Sequence, residues 1–172
     1  MIRKLLVAAA LALGACVAQA PKVTELQGYR DREALIGVTS RFDAAKFGGL
    51  WYLREAFDPA RPQLSFRLMQ SAMRLGAPVC DAAGICSEVS EDLALRRRGK
   101  GRFVVTMPSG EAREFWVLWV DEGFRTAALG NPDGTFGWIA DRSRTGGADR
   151  IRAAREILDF NGYDVSKLRV IE

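Results

Sequence analysis

From residue 42 onward the chain is a succession of short runs, apolar at every second position or throughout, each ended by turn-forming residues. That pattern favours antiparallel β structure. Predicted strands cover 49–57, 64–74, 87–97, 102–107, 113–121, 124–130 and 136–142, separated by Asp58-Pro59, Gly99-Lys100-Gly101, Pro108-Ser109-Gly110 and Asn131-Pro132-Asp133-Gly134. Connections this short imply a meander in which sequential strands pair. The run from Phe115 to Val120 is apolar on both faces, so neither side of that strand can meet water. A helix predicted over Ala148–Phe160 carries an apolar stripe of Ile151, Ala154, Ile157 and Leu158, with Asp149 at its start and Gly162 where a C-terminal cap belongs. An all-β, up-and-down antiparallel barrel spanning residues 42–172, with this one C-terminal α-helix packed outside, satisfies both needs.

The first residues read as an address. Arg3 and Lys4 precede nine apolar residues from Leu5 to Leu13, too few for the roughly 20 that span a bilayer but suited to a secretory signal. Leu13-Gly14-Ala15-Cys16 resembles the bacterial lipobox, which implies a signal peptide over residues 1–15 and lipidation of Cys16. The alternative is ordinary cleavage after Ala18-Gln19-Ala20, which leaves Pro21 beyond the cut. More than one acyl chain on Cys16 makes a durable membrane anchor. Val17 is not the Asp of the inner-membrane retention pattern, so the expected location is the bacterial cell envelope, at the outer membrane facing the periplasm. Residues 16–41 lack sustained periodicity and are expected to act as a tether.

The chemistry is bounded by what is missing. The chain has no histidine, which removes the Ser-His-Asp triad, the Cys-His pair and the H-E-x-x-H zinc helix. Spending Cys16 on lipid leaves Cys80 and Cys86 as an even pair in an oxidising compartment, with turn formers between them, which predicts a clamp across a hairpin tip and no metal site. The formal charge of +4 falls to +2 once Arg3 and Lys4 are removed with the signal, and no nucleic-acid partner is expected. The densest basic run, Arg96-Arg97-Arg98-Gly99-Lys100-Gly101-Arg102, belongs on a hairpin tip, either as a solvated turn or as a contact for an anionic head group or membrane. Glu88, Glu91 and Asp92 are expected to offset its charge.

Three segments carry a resemblance. The stretch from Phe42 to Tyr52, with Gly49-Leu50-Trp51, resembles the first block of the lipocalins, a turn leading into G-x-W. Phe124 to Leu129, Asn131-Pro132-Asp133 and Trp138 to Arg142 resemble the last two strands of bacterial lipocalins. The segment Gly162 to Leu168 resembles the C-terminal segment of the bacterial outer-membrane lipoprotein members.

The resemblance implies that Trp51, after Gly49, closes the barrel floor under the guanidinium of Arg142, with Arg144 as the alternative. It also implies a cavity for a small hydrophobic ligand, a fatty acid or lysophospholipid, to be transported or stored. Expected lining residues are Leu53, Phe66, Leu68, Phe103, Val105, Val117, Trp119 and Trp138, with no cofactor and no catalysis. Two other readings stay open. One is an envelope scaffold with a filled barrel; the other is an isomerase-type enzyme using Glu55 or Tyr52 near the mouth. Between Phe57 and Arg113 the sequence displays three strands where the family places four, so either a strand is hidden near 64–74 or the barrel is abbreviated.

Overall fold

The computed structural model describes residues 28–57 and 64–171, so the signal, Cys16 and the Asp58-Pro59 turn lie outside the described residues. Eight antiparallel strands follow a one-turn helix α1 (Ala44–Phe47): β1 (Gly49–Ala56), β2 (Ser65–Leu68), β3 (Ala72–Cys80), β4 (Cys86–Gly99), β5 (Arg102–Thr106), β6 (Ala112–Val120), β7 (Thr126–Gly130) and β8 (Gly137–Asp141). Each pairs with the next, and β1 pairs with both β2 and β8, which closes the cylinder. Helix α2 (Ala148–Phe160) and a short strand β9 (Arg169–Val170), paired to Glu55 and Ala56 of β1, complete the chain.

The strand hidden between 64 and 74 is real. Residues Met69 to Ser71 turn the chain, so the single predicted strand is two, β2 and β3, with Phe66 opposite Leu75 and Leu68 opposite Met73. The turn contains neither Gly nor Pro, which is why the sequence conceals it. The barrel has its full eight strands, the number that can enclose one small ligand.

Two apolar layers result. Inside lie Trp51, Phe66, Phe103, Phe115, Val117 and Leu129; outside, Leu118, Ala128 and Ile139 of the sheet meet Ile151, Ala154 and Leu158 of α2. The double-faced run 115–120 therefore sits between the two layers, as its composition requires. Helix α2 ends in a Schellman arrangement: the N–H of Gly162 (φ 84°) donates to the Asp159 carbonyl at 2.8 Å and that of Tyr163 to Leu158 at 3.0 Å. Its start has no side-chain cap. Three arginines fasten the outer layer. Arg150 reaches Asp141 at 3.2 Å and Thr126 at 2.8 Å, Arg155 forks onto Glu55 at 2.6 and 2.7 Å, and Arg30 donates to the carbonyls of Asn161, Pro132 and Ala34.

Of the tether expected over 16–41, residues 16–27 lie outside the described residues, and Arg30 corrects the expectation for the part that follows. Its side chain is buried, the Thr39 N–H donates to the Val117 carbonyl at 3.0 Å, and Tyr29 stacks on Phe57, so residues 29–39 lie against the barrel. The segment has no periodicity because it is held by side-chain and backbone hydrogen bonds to other elements rather than to itself.

The turn joining β6 to β7 is organised by one carboxylate. Asp121 accepts from the backbone N–H groups of Thr126 (2.7 Å), Arg125 (2.5 Å) and Gly123 (3.3 Å), and from the Arg125 guanidinium. Burial raises its pKa, but these hydrogen bonds outweigh burial and hold the carboxyl below its ordinary value of 3.8. A folded-state pKa below the unfolded one contributes stability that is present above the unfolded value and lost as pH falls through the folded value. We expect Asp121→Asn to unfold more easily at pH 7, by about 1–2 kcal/mol, and to lose less additional stability than the parent between about pH 4 and pH 2. Thermal melts across that range test both.

Candidate ligand-binding cavity

The barrel has one sealed end. Gly49 adopts φ 87°, a conformation that favours glycine, and from it β1 projects Trp51 fully into the interior. The indole N–H donates to the Phe47 carbonyl at 2.8 Å, and Phe42 and Phe47 pack beneath it. Asp43 caps α1 by accepting from the N–H groups of Ala45 and Lys46, which holds this floor in place. Arg142 lies over the Trp51 ring at 3.8 Å. Its guanidinium also donates to the carbonyls of Leu50 (2.6 Å), Lys46 (2.8 Å), Gly48 (2.8 Å), Phe47 (3.2 Å) and Phe124 (3.3 Å). Burial lowers its pKa from the ordinary guanidinium value, yet an arginine remains charged in proteins. The expected floor is therefore present with Arg142. The alternative, Arg144, instead covers the outward ring of Tyr52 and reaches Glu88.

Above the floor the interior is first filled and then opens. Phe66 stacks on Trp51 at 6.2 Å and meets Phe115 and Trp138 at 5.8 and 6.1 Å. Beyond these rings lies a cavity of about 330 Å³, open at the end opposite Trp51. Met73, Leu75, Leu93, Val105, Met107, Phe115, Phe136 and Trp138 form its wall. The volume falls at the small end of the range typical of ligand pockets, about 300–1,000 Å³.

Of the eight expected lining residues, Val105 and Trp138 border this cavity, while Leu53, Phe66, Leu68, Phe103 and Val117 belong to the packed interior beside it. Trp119 is a correction, because it faces outward toward the helix layer. A bulge between Val117 and Trp119 inserts one residue opposite Leu129 and Ala128, which sends Trp119 out and Val120 in. A one-residue shift reverses the face of everything beyond it.

The same device on β1, between Leu53 and Glu55, turns Glu55 outward onto Arg155. Tyr52 also faces outward, so neither proposed proton-transfer group is in the cavity. Leu93 and Met107 lie on strands that the sequence delimits, but alternation alone does not tell the inward face from the outward one; Met73 and Leu75 escape a reading of the sequence that leaves the β2–β3 turn undelimited. Once the turn is placed, their alternation is plain.

Polar groups at the mouth are few. Glu91, Arg113 and Glu114 border it, and the Arg113 guanidinium is forked onto Glu111 at 3.0 Å through both nitrogens. That hydrogen bonding lowers the Glu111 pKa and raises that of Arg113. The basic run at Arg96–Arg102 occupies the β4–β5 hairpin at the sealed end, where Arg97 lies over Phe42 and Arg102 over Trp116, so it cannot hold a head group at the mouth. Nor is it offset by the acidic trio. Asp92 forks onto Arg74 and Glu88 bonds Ser65 and Arg144. Among the described residues no group of three metal-ligating side chains comes together.

A closed eight-stranded cylinder, sealed at one end by a tryptophan under an arginine and hollow at the other, is the architecture of a small-molecule binding protein. Residues 90–172 match the lipocalin-like domain family. Among solved structures the chain is similar to lobster apocrustacyanin A1, at 12% identity over 74% of this chain and 78% of that one, with a TM-score of 0.55. It is also similar to the bovine lipocalin allergen Bos d 2, at 10% identity over 74% and 93%, with a TM-score of 0.54. Comparison with curated proteins gives no match. The chain thus carries lipocalin-like sequence across residues 90–172 and has the lipocalin fold in its barrel.

Arg142→Met should cost about 3 kcal/mol or more, since it strands several carbonyls and removes the charge over the indole. Arg142→Lys should cost less but still lose the fork. Urea denaturation read by Trp51 emission measures both, and a Met variant as stable as the parent would refute this account of the floor.

Proposed function

We propose that this protein is a lipid-anchored carrier of the bacterial cell envelope, held at the outer membrane by acyl chains on Cys16 and binding a fatty acid or lysophospholipid for transport or storage. The observation that supports the ligand class is the apolar cavity of about 330 Å³ above the sealed floor. Burying about a dozen methylenes there contributes roughly 10 kcal/mol before association costs. Because Arg113 is already forked onto Glu111, the polar head gains no unpaired cation and remains at the wet rim. The acyl chain supplies the affinity.

Trp138 borders the cavity and serves as an intrinsic reporter. Titration of the full chain with palmitate or lysophosphatidylcholine should quench tryptophan emission with micromolar or tighter affinity. Leu75→Trp, which fills the cavity from β3, should abolish the response while the protein still melts cooperatively. Native mass spectrometry of protein extracted from its own membrane should show bound lipid. An empty spectrum with no quenching by either probe would favour a filled scaffold. Mass analysis of the N-terminal peptide should place acyl chains on Cys16, and Cys16→Ser should release the protein from the membrane fraction.

A further inference from the structure

The strands β3 and β4 do not stop at the rim. Their pairing continues from Leu75 opposite Glu91, at the cavity wall, through Ala77 opposite Val89 and Val79 opposite Ser87 to Cys80 opposite Cys86. The ribbon is tied by the Cys80–Cys86 disulfide. Three of its side chains are apolar and open to solvent: Val79 at 53%, Val89 at 51% and Ile85, in the turn, at 71% exposure. By strand alternation Ala77, Val79 and Val89 continue the face that Leu75 presents to the cavity, so the greasy wall extends past the mouth. The turn itself carries one charge, Asp81, whose carboxylate accepts from the N–H groups of Ala83 and Ile85.

The N-terminal side of the chain points to what covers this projection. The described chain begins at Gly28, and the Tyr29 N–H donates at 2.9 Å to the carbonyl of Gly134, in the β7–β8 loop. Thr135 and Phe136 of that same loop border the cavity. Residue 28 is therefore at the mouth end of the barrel. Cys16 lies twelve positions earlier, a distance that a chain can span by at most about 40 Å.

We propose that the β3–β4 hairpin tip is a membrane-docking element: Ile85, Val79 and Val89 enter the interfacial region of the bilayer, so that the mouth opens onto the lipid surface and an acyl ligand passes between bilayer and cavity along the Leu75–Val89 face. This orientation rests on the lipidation of Cys16 proposed above. The anchored end and the exposed apolar tip then meet the same bilayer. The basic sealed end, with Arg98 and Lys100, faces away.

The full lipidated chain is reconstituted into vesicles of phosphatidylethanolamine and phosphatidylglycerol, with or without acyl-brominated lipid, as Ile85→Trp or Lys100→Trp. Beyond the parent signal, Ile85→Trp should add emission that is blue-shifted and lost on bromination; Lys100→Trp should add emission that is neither. A chain that floats with the vesicles but shows quenching at Lys100→Trp, or at neither position, overturns the orientation and leaves the anchor standing. A chain that does not float refutes the anchor and the orientation with it. Ile85→Asp, remote from the packed interior, should leave palmitate binding in detergent unchanged and slow transfer of a fluorescent fatty acid from vesicles. An unchanged transfer rate counts against the docking role.

Discussion

The Arg142 guanidinium over Trp51 is the constraint from which the rest of the barrel is organised. A hollow cylinder loses the packing that an ordinary core provides, and its interior must be kept dry at one end for the cavity to remain apolar. Here a single cation accomplishes this by donating to five carbonyls from the α1–β1 corner and the β6–β7 turn while covering the indole. The helix α1, the left-handed Gly49 and the Asp121 turn all meet at that point. With the floor fixed, Trp51 and Phe66 set where filling ends and space begins.

Much of this is legible in the sequence. The strand alternation, the double-faced run 115–120, the α2 stripe and Gly162 as a cap rest on local patterns whose period matches the structure, whereas the pairing of Trp51 with Arg142 is implied by the resemblance to the lipocalins and by no local pattern. The misplaced strand residues share one cause. A β2–β3 turn built of Met69, Gln70 and Ser71 contains no Gly, Pro, Asn or Asp, and the bulges at Leu118 and Arg54 leave no mark in composition, yet each shifts the phase of the residues beyond it. Trp119 and Glu55 depart from expectation for that reason alone. Bulges are set by how a strand must twist to meet its neighbours and are invisible to a reading that assumes strict alternation.

The bulges also explain why one carboxylate on a strand aimed at the interior is harmless. An unpaired Glu55 inside an apolar barrel would carry a severe desolvation cost; turned outward, it forks onto Arg155 and ties β1 to the helix. The same shift that removes it from the cavity leaves the described apolar wall free of a buried charge, so selection by the cavity rests on shape and greasiness.

Helix α2 covers only part of the circumference. Strands β6, β7 and β8 are sandwiched between two apolar layers, whereas β2 to β5 turn Arg67, Arg74, Asp92, Arg96 and Thr106 to water on their outer face. The cylinder thus has a stiff wall and a compliant one, because the first gains stability from both sides and the second from its inner side alone. Guests of differing girth would be accommodated by displacement of the compliant wall, which contributes Met73, Leu75, Leu93 and Met107 to the hollow, while the helical buttress keeps Trp138 and its neighbours in register.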